Sequence, residues 1–142
     1  MKENFLKFFS LVSIIVIAMD QLLKYLVLSF EPYFDLSLLK IHLIKNTGAG
    51  FGILQGKSIW LAIISLLAIL VILFYYKKIE KEKWPQLLFA LFLGGVAGNF
   101  MDRVFRGYVI DFIDFSFWPA FNVADAAISI AVIGLVVYYW KK

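Results

Sequence analysis

A chain of 142 residues is expected to form one domain. With 63% hydrophobic residues and a mean hydropathy of +0.87, its natural solvent is a bilayer. It has no cysteine, which excludes a disulfide framework, a thiol nucleophile and a thiolate metal site, and its one histidine, His42, leaves a zinc centre short of imidazole ligands.

The net charge of +4 does not describe a nucleic-acid surface, because the lysines flank apolar runs. Lys2 and Lys7 lie at the first run, Lys77, Lys78, Lys81 and Lys83 separate the second from the third, and Lys141 and Lys142 follow the last. Lysine at these places predicts cytoplasmic termini, a cytoplasmic middle loop and four spans.

The first span is expected over residues 5 to 30, retained rather than cleaved, since its apolar character continues past Asp20 without a small-x-small cleavage site. Asp20 and Lys24 sit one helical turn apart in the favourable acid-before-base order. They read either as a self-neutralised pair with Lys24 snorkelling to the surface, or as a brace for a polar site between helices.

Glu31-Pro32 stops that helix. I-H-L-I, between Lys40 and Lys45, predicts a short strand, and N-T-G-A-G-F-G after it is rich in glycine. Gly48, Gly50 and Gly52 permit positive φ and close backbone approach. A phosphate loop would need a following Lys-Ser/Thr that is missing, so an extended segment offering backbone hydrogen bonds to a peptide fits better.

The second span, residues 58 to 76, is nearly free of polar groups and ends in the aromatic pair Tyr75-Tyr76 before the lysines. Pro85 suits the first turn of the third, predicted over residues 87 to 106. Gly94 and Gly98 give it a face for close helix contact, and Asn99, Asp102 and Arg103 share one face, with an Asp102–Arg103 bridge as the structural alternative to chemistry. V-I-D-F-I-D-F then places Asp111 and Asp114 on opposite faces if extended, or on nearly one face if helical. The fourth span, residues 123 to 140, starts at F-N-V-A-D, where Asn122 and Asp125 have the form of a capping box.

Asp102, Asp111, Asp114 and Asp125 are four of the ten acidic residues, gathered into one short window of an apolar chain. Ionisable groups in such a setting mark functional sites. Asp111 and Asp125 form a candidate pair: two carboxyls in a low dielectric share a proton, and that state suits amide hydrolysis without a cofactor.

The blocks D-Q-L-L-K at Asp20 to Lys24, N-T-G-A at Asn46 to Ala49, G-N-F-M-D-R at Gly98 to Arg103, V-I-D-F at Val109 to Phe112 and F-N-V-A-D at Phe121 to Asp125 together resemble lipoprotein signal peptidase, or signal peptidase II. The resemblance covers nearly the whole chain. It implies an all-α integral membrane protein with four transmembrane helices, a small extracytoplasmic β-cradle and an interfacial helix. It also implies an aspartic endopeptidase of the bacterial inner membrane, acting near the outer face, that cuts diacylglyceryl-modified prolipoproteins before the lipidated cysteine. Asp111 and Asp125 would be catalytic. Asn99, Asp102, Arg103 and Asn122 would support the pair and its substrate, with Asp20, Lys24, Asn46 and Gly48 in the surrounding polar shell. No metal or cofactor is implied, no nucleic acid is a partner, and the enzyme is expected to be a monomer among membrane lipids. Two departures from the family pattern stand out: Gly50, where a second alanine is usual, and a short link between Asp111 and Asp125. The rival classes are a small proton-coupled transporter or ion-conducting protein, argued against by carboxyls that gather at one surface and by the absence of an inverted repeat, and a non-enzymatic assembly partner held together by the small-residue faces.

Overall fold

The structure, a computed structural model, describes residues 4–142. Four helices, α1 (Phe5–Phe30), α2 (Ser58–Tyr75), α3 (Lys83–Phe105) and α4 (Val123–Trp140), are long and apolar enough to cross a membrane. Three strands, β1 (Phe34–Asp35), β2 (Leu39–Asn46) and β3 (Val109–Phe115), form an antiparallel sheet in the order β1-β2-β3.

The sequence explains which helix sits at the centre. Phe9, Ser13, Val16, Asp20, Lys24 and Val27 are the buried positions of α1, a single stripe at three- and four-residue spacing. That stripe meets α3, whose small residues let other backbones approach. A Cβ added to Gly94 would lie 2.7 Å from Val16 Cβ, and one added to Gly98 would lie 2.6 Å from Asp20 Oδ2. Small residues at i and i+4 thus bring α1 and α3 together, as in lipid-embedded bundles generally. By contrast α2 buries only Ala62 and Ile72 and turns the rest of its surface outward, as its unbroken apolar composition predicts.

Helix α3 begins at Lys83, a turn earlier than residue 87, and Pro85 lies in its first turn, where a missing N–H costs nothing. At the same end Tyr75 and Tyr76 lie under Lys78 and Lys81, whose ammonium groups are 4.7 and 4.0 Å from the ring centroids. Tyr76 also donates to Gln86 Oε1 at 3.1 Å.

Strand β2 begins one residue before Lys40 and runs past Lys45, so the predicted I-H-L-I strand is extended at both ends. Its pairing with β3 runs from Leu39 opposite Phe115 to Asn46 opposite Val109, with a register irregularity between Ile41 and Ile44. Strand β3 is extended, which settles the facing of its two carboxylates. Asp111 turns inward, 2% exposed, while Asp114 meets His42 on β2 at 3.0 Å. Beyond β3 the chain folds back on itself, because Ile113 and Phe121 exchange backbone hydrogen bonds of 3.0 and 2.9 Å.

Among the described residues the helical structure besides α1 to α4 is two three-residue 3₁₀ turns, Gly50–Gly52 and, continuing α2, Tyr76–Lys78. The expected interfacial helix is therefore only one short turn among the described residues. Glycines at 48, 50, 52 and 56 explain this, since glycine weakens helix propagation, and Gly52 and Gly56 take left-handed φ values of 72° and 73°.

Candidate active site

The site lies where the sheet meets the C-terminal ends of α1 and α3 and the start of α4. Its foundation is a buried charge cluster. Lys24 Nζ lies 2.7 Å from Asp20 Oδ2 and 2.9 Å from Asp102 Oδ2, all three side chains fully buried. Arg106 Nη1 bridges Asp102 from the other side, completing two carboxylates and two cations. A buried charge without a partner would cost several kcal/mol, so each group here depends on the others.

Two sequence expectations change at this point. Lys24 does not snorkel, because its ammonium is held inside by Asp20, Asp102 and Asn99. Nor does Arg103 neutralise Asp102, whose partners are Lys24, Arg106, Gln21 and the Ile110 N–H. Consecutive helical residues point about 100° apart, whereas Arg106 is one turn away on the same face. Arg103 is left to reach towards Gly48, with Nη2 at 3.5 Å from its carbonyl oxygen and a buried Nε that has no hydrogen-bond partner.

The charge cluster reaches two other elements through backbone groups. Asp20 Oδ1 accepts the Ala124 N–H of the first turn of α4 at 2.9 Å, and Asp102 Oδ2 accepts the Ile110 N–H of β3 at 3.1 Å. A carboxylate on α1 thus caps α4, and one on α3 holds the strand residue next to Asp111. Gln21 and Arg106 were not singled out from sequence, although Gln21 stands inside the D-Q-L-L-K block. Its Nε2 lies 3.1 Å from both the Gly98 carbonyl and Asp102 Oδ1, and its Oε1 accepts from Arg106.

Above the cluster, three asparagines hold Asp111 and Asp125. Asp111 Oδ1 accepts from Asn122 Nδ2 at 2.8 Å, and Oδ2 accepts from Asn46 Nδ2 at 3.0 Å. Asp125 Oδ1 accepts from Asn99 Nδ2 at 2.7 Å, and Oδ2 accepts the Asn122 backbone N–H at 3.2 Å. Asn122 Oδ1 accepts the Asp125 N–H at 2.9 Å, so the predicted capping box is present. Asp125 caps α4 and also faces the interior, and the two roles coexist. Asn122 touches both carboxylates, one through its side chain and the other through its backbone.

Asp111 and Asp125 line one open cavity of about 460 Å³, together with Asn46, Gly48 and Arg103. Trp118, Pro119, Ala120 and Phe121 form another part of its wall. Burial and the nearby Asp125 charge raise the Asp111 carboxyl from 3.8 to about 7. Gly48 is needed for close approach, since an added Cβ would lie 2.6 Å from the Ile53 carbonyl oxygen. His42, occupied by Asp114, is not part of this wall.

Four candidate spans, with a small sheet and a carboxyl pair in an open cavity at one end of the bundle, define a multi-pass membrane protein. Residues 12–141 match the signal peptidase II family. Similar proteins include the lipoprotein signal peptidases of Halothermothrix orenii, 36% identical over 93% of this chain and 94% of that protein, and of Moorella thermoacetica, 37% identical over 94% and 91%. A bacterial membrane enzyme solved by the in meso method superposes with a TM-score of 0.91 at 31% identity, covering 99% of this chain and 92% of that one. The chain belongs to the signal peptidase II family, and is accordingly a multi-pass peptidase of a bacterial membrane.

Proposed function

We propose that the protein is an aspartic endopeptidase that removes the signal peptide from diacylglyceryl-modified prolipoproteins, with Asp111 and Asp125 as its catalytic pair and the cut falling before the lipidated cysteine. The observation that carries this reading is the pair itself, two carboxyls on one cavity with Asp111 raised to about 7 by burial and by its partner's charge. In that state the pair holds one proton near neutral pH. The ionised carboxyl takes a proton from a water as its oxygen adds to the scissile carbonyl carbon. The protonated carboxyl hydrogen-bonds the carbonyl oxygen as negative charge develops there. Collapse breaks the C–N bond, the departing nitrogen gains a proton from the pair, and the pair returns to its singly protonated state.

The other residues act through placement. Asn46, Asn99 and Asn122 hold the carboxyls by the bonds described above, and Asp20, Lys24 and Asp102 anchor the elements that carry them. Arg103 and the Gly48 loop offer a cation and backbone groups to the substrate chain. Orientation follows from the lysines: with both termini and the middle loop cytoplasmic, the cavity opens near the extracytoplasmic face, where a membrane-anchored precursor presents its cleavage site. The reading includes action as a monomer among membrane lipids, one domain over the whole chain, and no cofactor. Polar groups converging at one end of the bundle favour hydrolysis over an ion pathway, which needs such groups along its length.

The test is cleavage of a diacylglyceryl-modified prolipoprotein in detergent by the wild type, Asp111→Asn and Asp125→Asn, with the released peptide weighed by mass spectrometry. Folded but inactive variants, and a wild-type peptide ending immediately before the lipidated cysteine, are the expected result. Normal cleavage by either variant would overturn the pair.

A further inference from the structure

Asp111 borders a second cavity, of about 350 Å³, besides the one it shares with Asp125. Asn46, Ala49, Gly50, Pro119 and Ala120 line both, so the two cavities meet at this carboxyl. They differ in what lies beyond the junction. The first continues along α4 past Asp125 and Ala126 to Ser129 and Ile130, both exposed on a helix long and apolar enough to span the membrane. It therefore opens towards lipid. The second is completed by Ile44, Lys45, Gly52 and Gln55, and no residue that lines it belongs to α1, α2, α3 or α4. It opens beyond the end of the spans.

The loop that walls the second cavity is tied to itself. Thr47 Oγ1 lies 2.8 Å from Gln55 Oε1 and accepts the Gly56 N–H at 3.1 Å, so the two ends of the loop are joined. Within it the Ala49 N–H donates to the Ile53 carbonyl at 2.8 Å. Leu54 takes a left-handed φ of 59°, which a leucine adopts only where its surroundings hold it. Gln55 therefore stands at a fixed place on the cavity wall. Pro119 and Ala120 belong to the loop closed by the Ile113–Phe121 hydrogen bonds, so that wall is fixed as well.

We propose that the second cavity is the subsite for the residues that follow the lipidated cysteine: the signal segment enters by the first cavity, the scissile bond lies at Asp111 where the two meet, and the mature chain leaves past Gln55. This rests on the peptidase reading above and names where the rest of its substrate goes. Polarity follows from solvent. An apolar signal segment keeps its contact with lipid along α4, whereas a polar mature chain needs a path clear of the spans. Gln55 and the backbone of its loop offer hydrogen bonds to an extended peptide. Binding there is remote from the bond that breaks, and holds the scissile carbonyl against the carboxyl pair.

The experiment compares kcat/KM for two diacylglyceryl-modified substrates, one ending at the lipidated cysteine as its amide and one continuing for about four residues, an extended stretch of about 13 Å. The wild type is expected to cleave the longer substrate about threefold to tenfold better, the worth of one or two hydrogen bonds. Gln55→Trp, which puts an indole into the second cavity, should bring that ratio down to about one. Equal rates for both lengths in the wild type, or a ratio that survives Gln55→Trp, would overturn the subsite. Should Gln55→Trp not fold, Gln55→Cys alkylated with N-ethylmaleimide after folding places the same obstruction on an intact protein, and its ratio is read in the same way. The two ideas fail differently: a wild type that cleaves neither substrate removes the peptidase reading, whereas one that cleaves both equally, and loses activity in Asp111→Asn, removes only the subsite.

Discussion

Asp111 carries a burden that acid relieves. Its carboxyl rises from 3.8 to about 7 because burial penalises the charged form and Asp125 repels it. Between those values the folded protein holds a proton that the unfolded chain has released, so stability falls as pH rises across the window. This contribution is complete below about pH 3.8 and is lost as the pH passes 7. The expected outcome is that wild-type thermal stability in detergent declines from pH 4 to 7 more steeply than that of Asp111→Asn, which has no proton to lose. Equal slopes would mean that Asp111 does not titrate in this range. Residue-level legibility was uneven for a related reason. Asp111 and Asp125 stood out because carboxylates in an apolar chain are costly, whereas the partner of Asp102 could not be read from adjacency. Arg103 is next in sequence, but Arg106 and Lys24 are next in space.

At the level of elements, the four helices were legible because long apolar runs admit few other folds in lipid. The short strand around I-H-L-I was also visible. The pairing of β2 with β3 was not, since it joins residues on either side of two intervening spans. Glycine roles divide in the same way. Gly98 on α3 packs against another helix whereas Gly50 in the loop packs against nothing, and a pair of alanine substitutions exposes this. In Gly98→Ala the new methyl would lie 2.6 Å from Asp20 Oδ2, an oxygen already fixed by Lys24. The α1–α3 contact would have to open, costing about 1–3 kcal/mol. Gly50 has nothing within 4 Å of an added Cβ and no left-handed φ, so Gly50→Ala should stay within about 0.5 kcal/mol of wild type. Thermal unfolding of both variants checks the contrast, and a comparable loss in each would contradict it. Glycine at position 50 is therefore expected to cost the cradle little.

For the molecule as a whole, the polar network and the sheet share one end of the bundle, while the lysine-rich loop and the C-terminal lysines share the other. Because the chain has no cysteine, single substitutions report orientation without a background. Ser37→Cys, beside the sheet, should label with an impermeant maleimide from the extracytoplasmic side of intact cells, and Lys81→Cys only after the membrane is opened. The reverse pattern would invert the assigned topology.

The fold-back that joins Ile113 to Phe121 bears on how such a peptidase can diversify. Asp111 precedes this clasp and Asp125 follows it, while Trp118, Pro119 and Ala120 lie within the loop it closes and still line the cavity. The clasp separates two inheritances. Residues inside the loop can be exchanged, lengthened or shortened, reshaping what the cavity admits, while the carboxyls outside it keep their spacing. On the catalytic reading proposed above, a short link between them is then no impediment to chemistry, and precursor preference would drift across lineages on a hydrolytic centre that stays still.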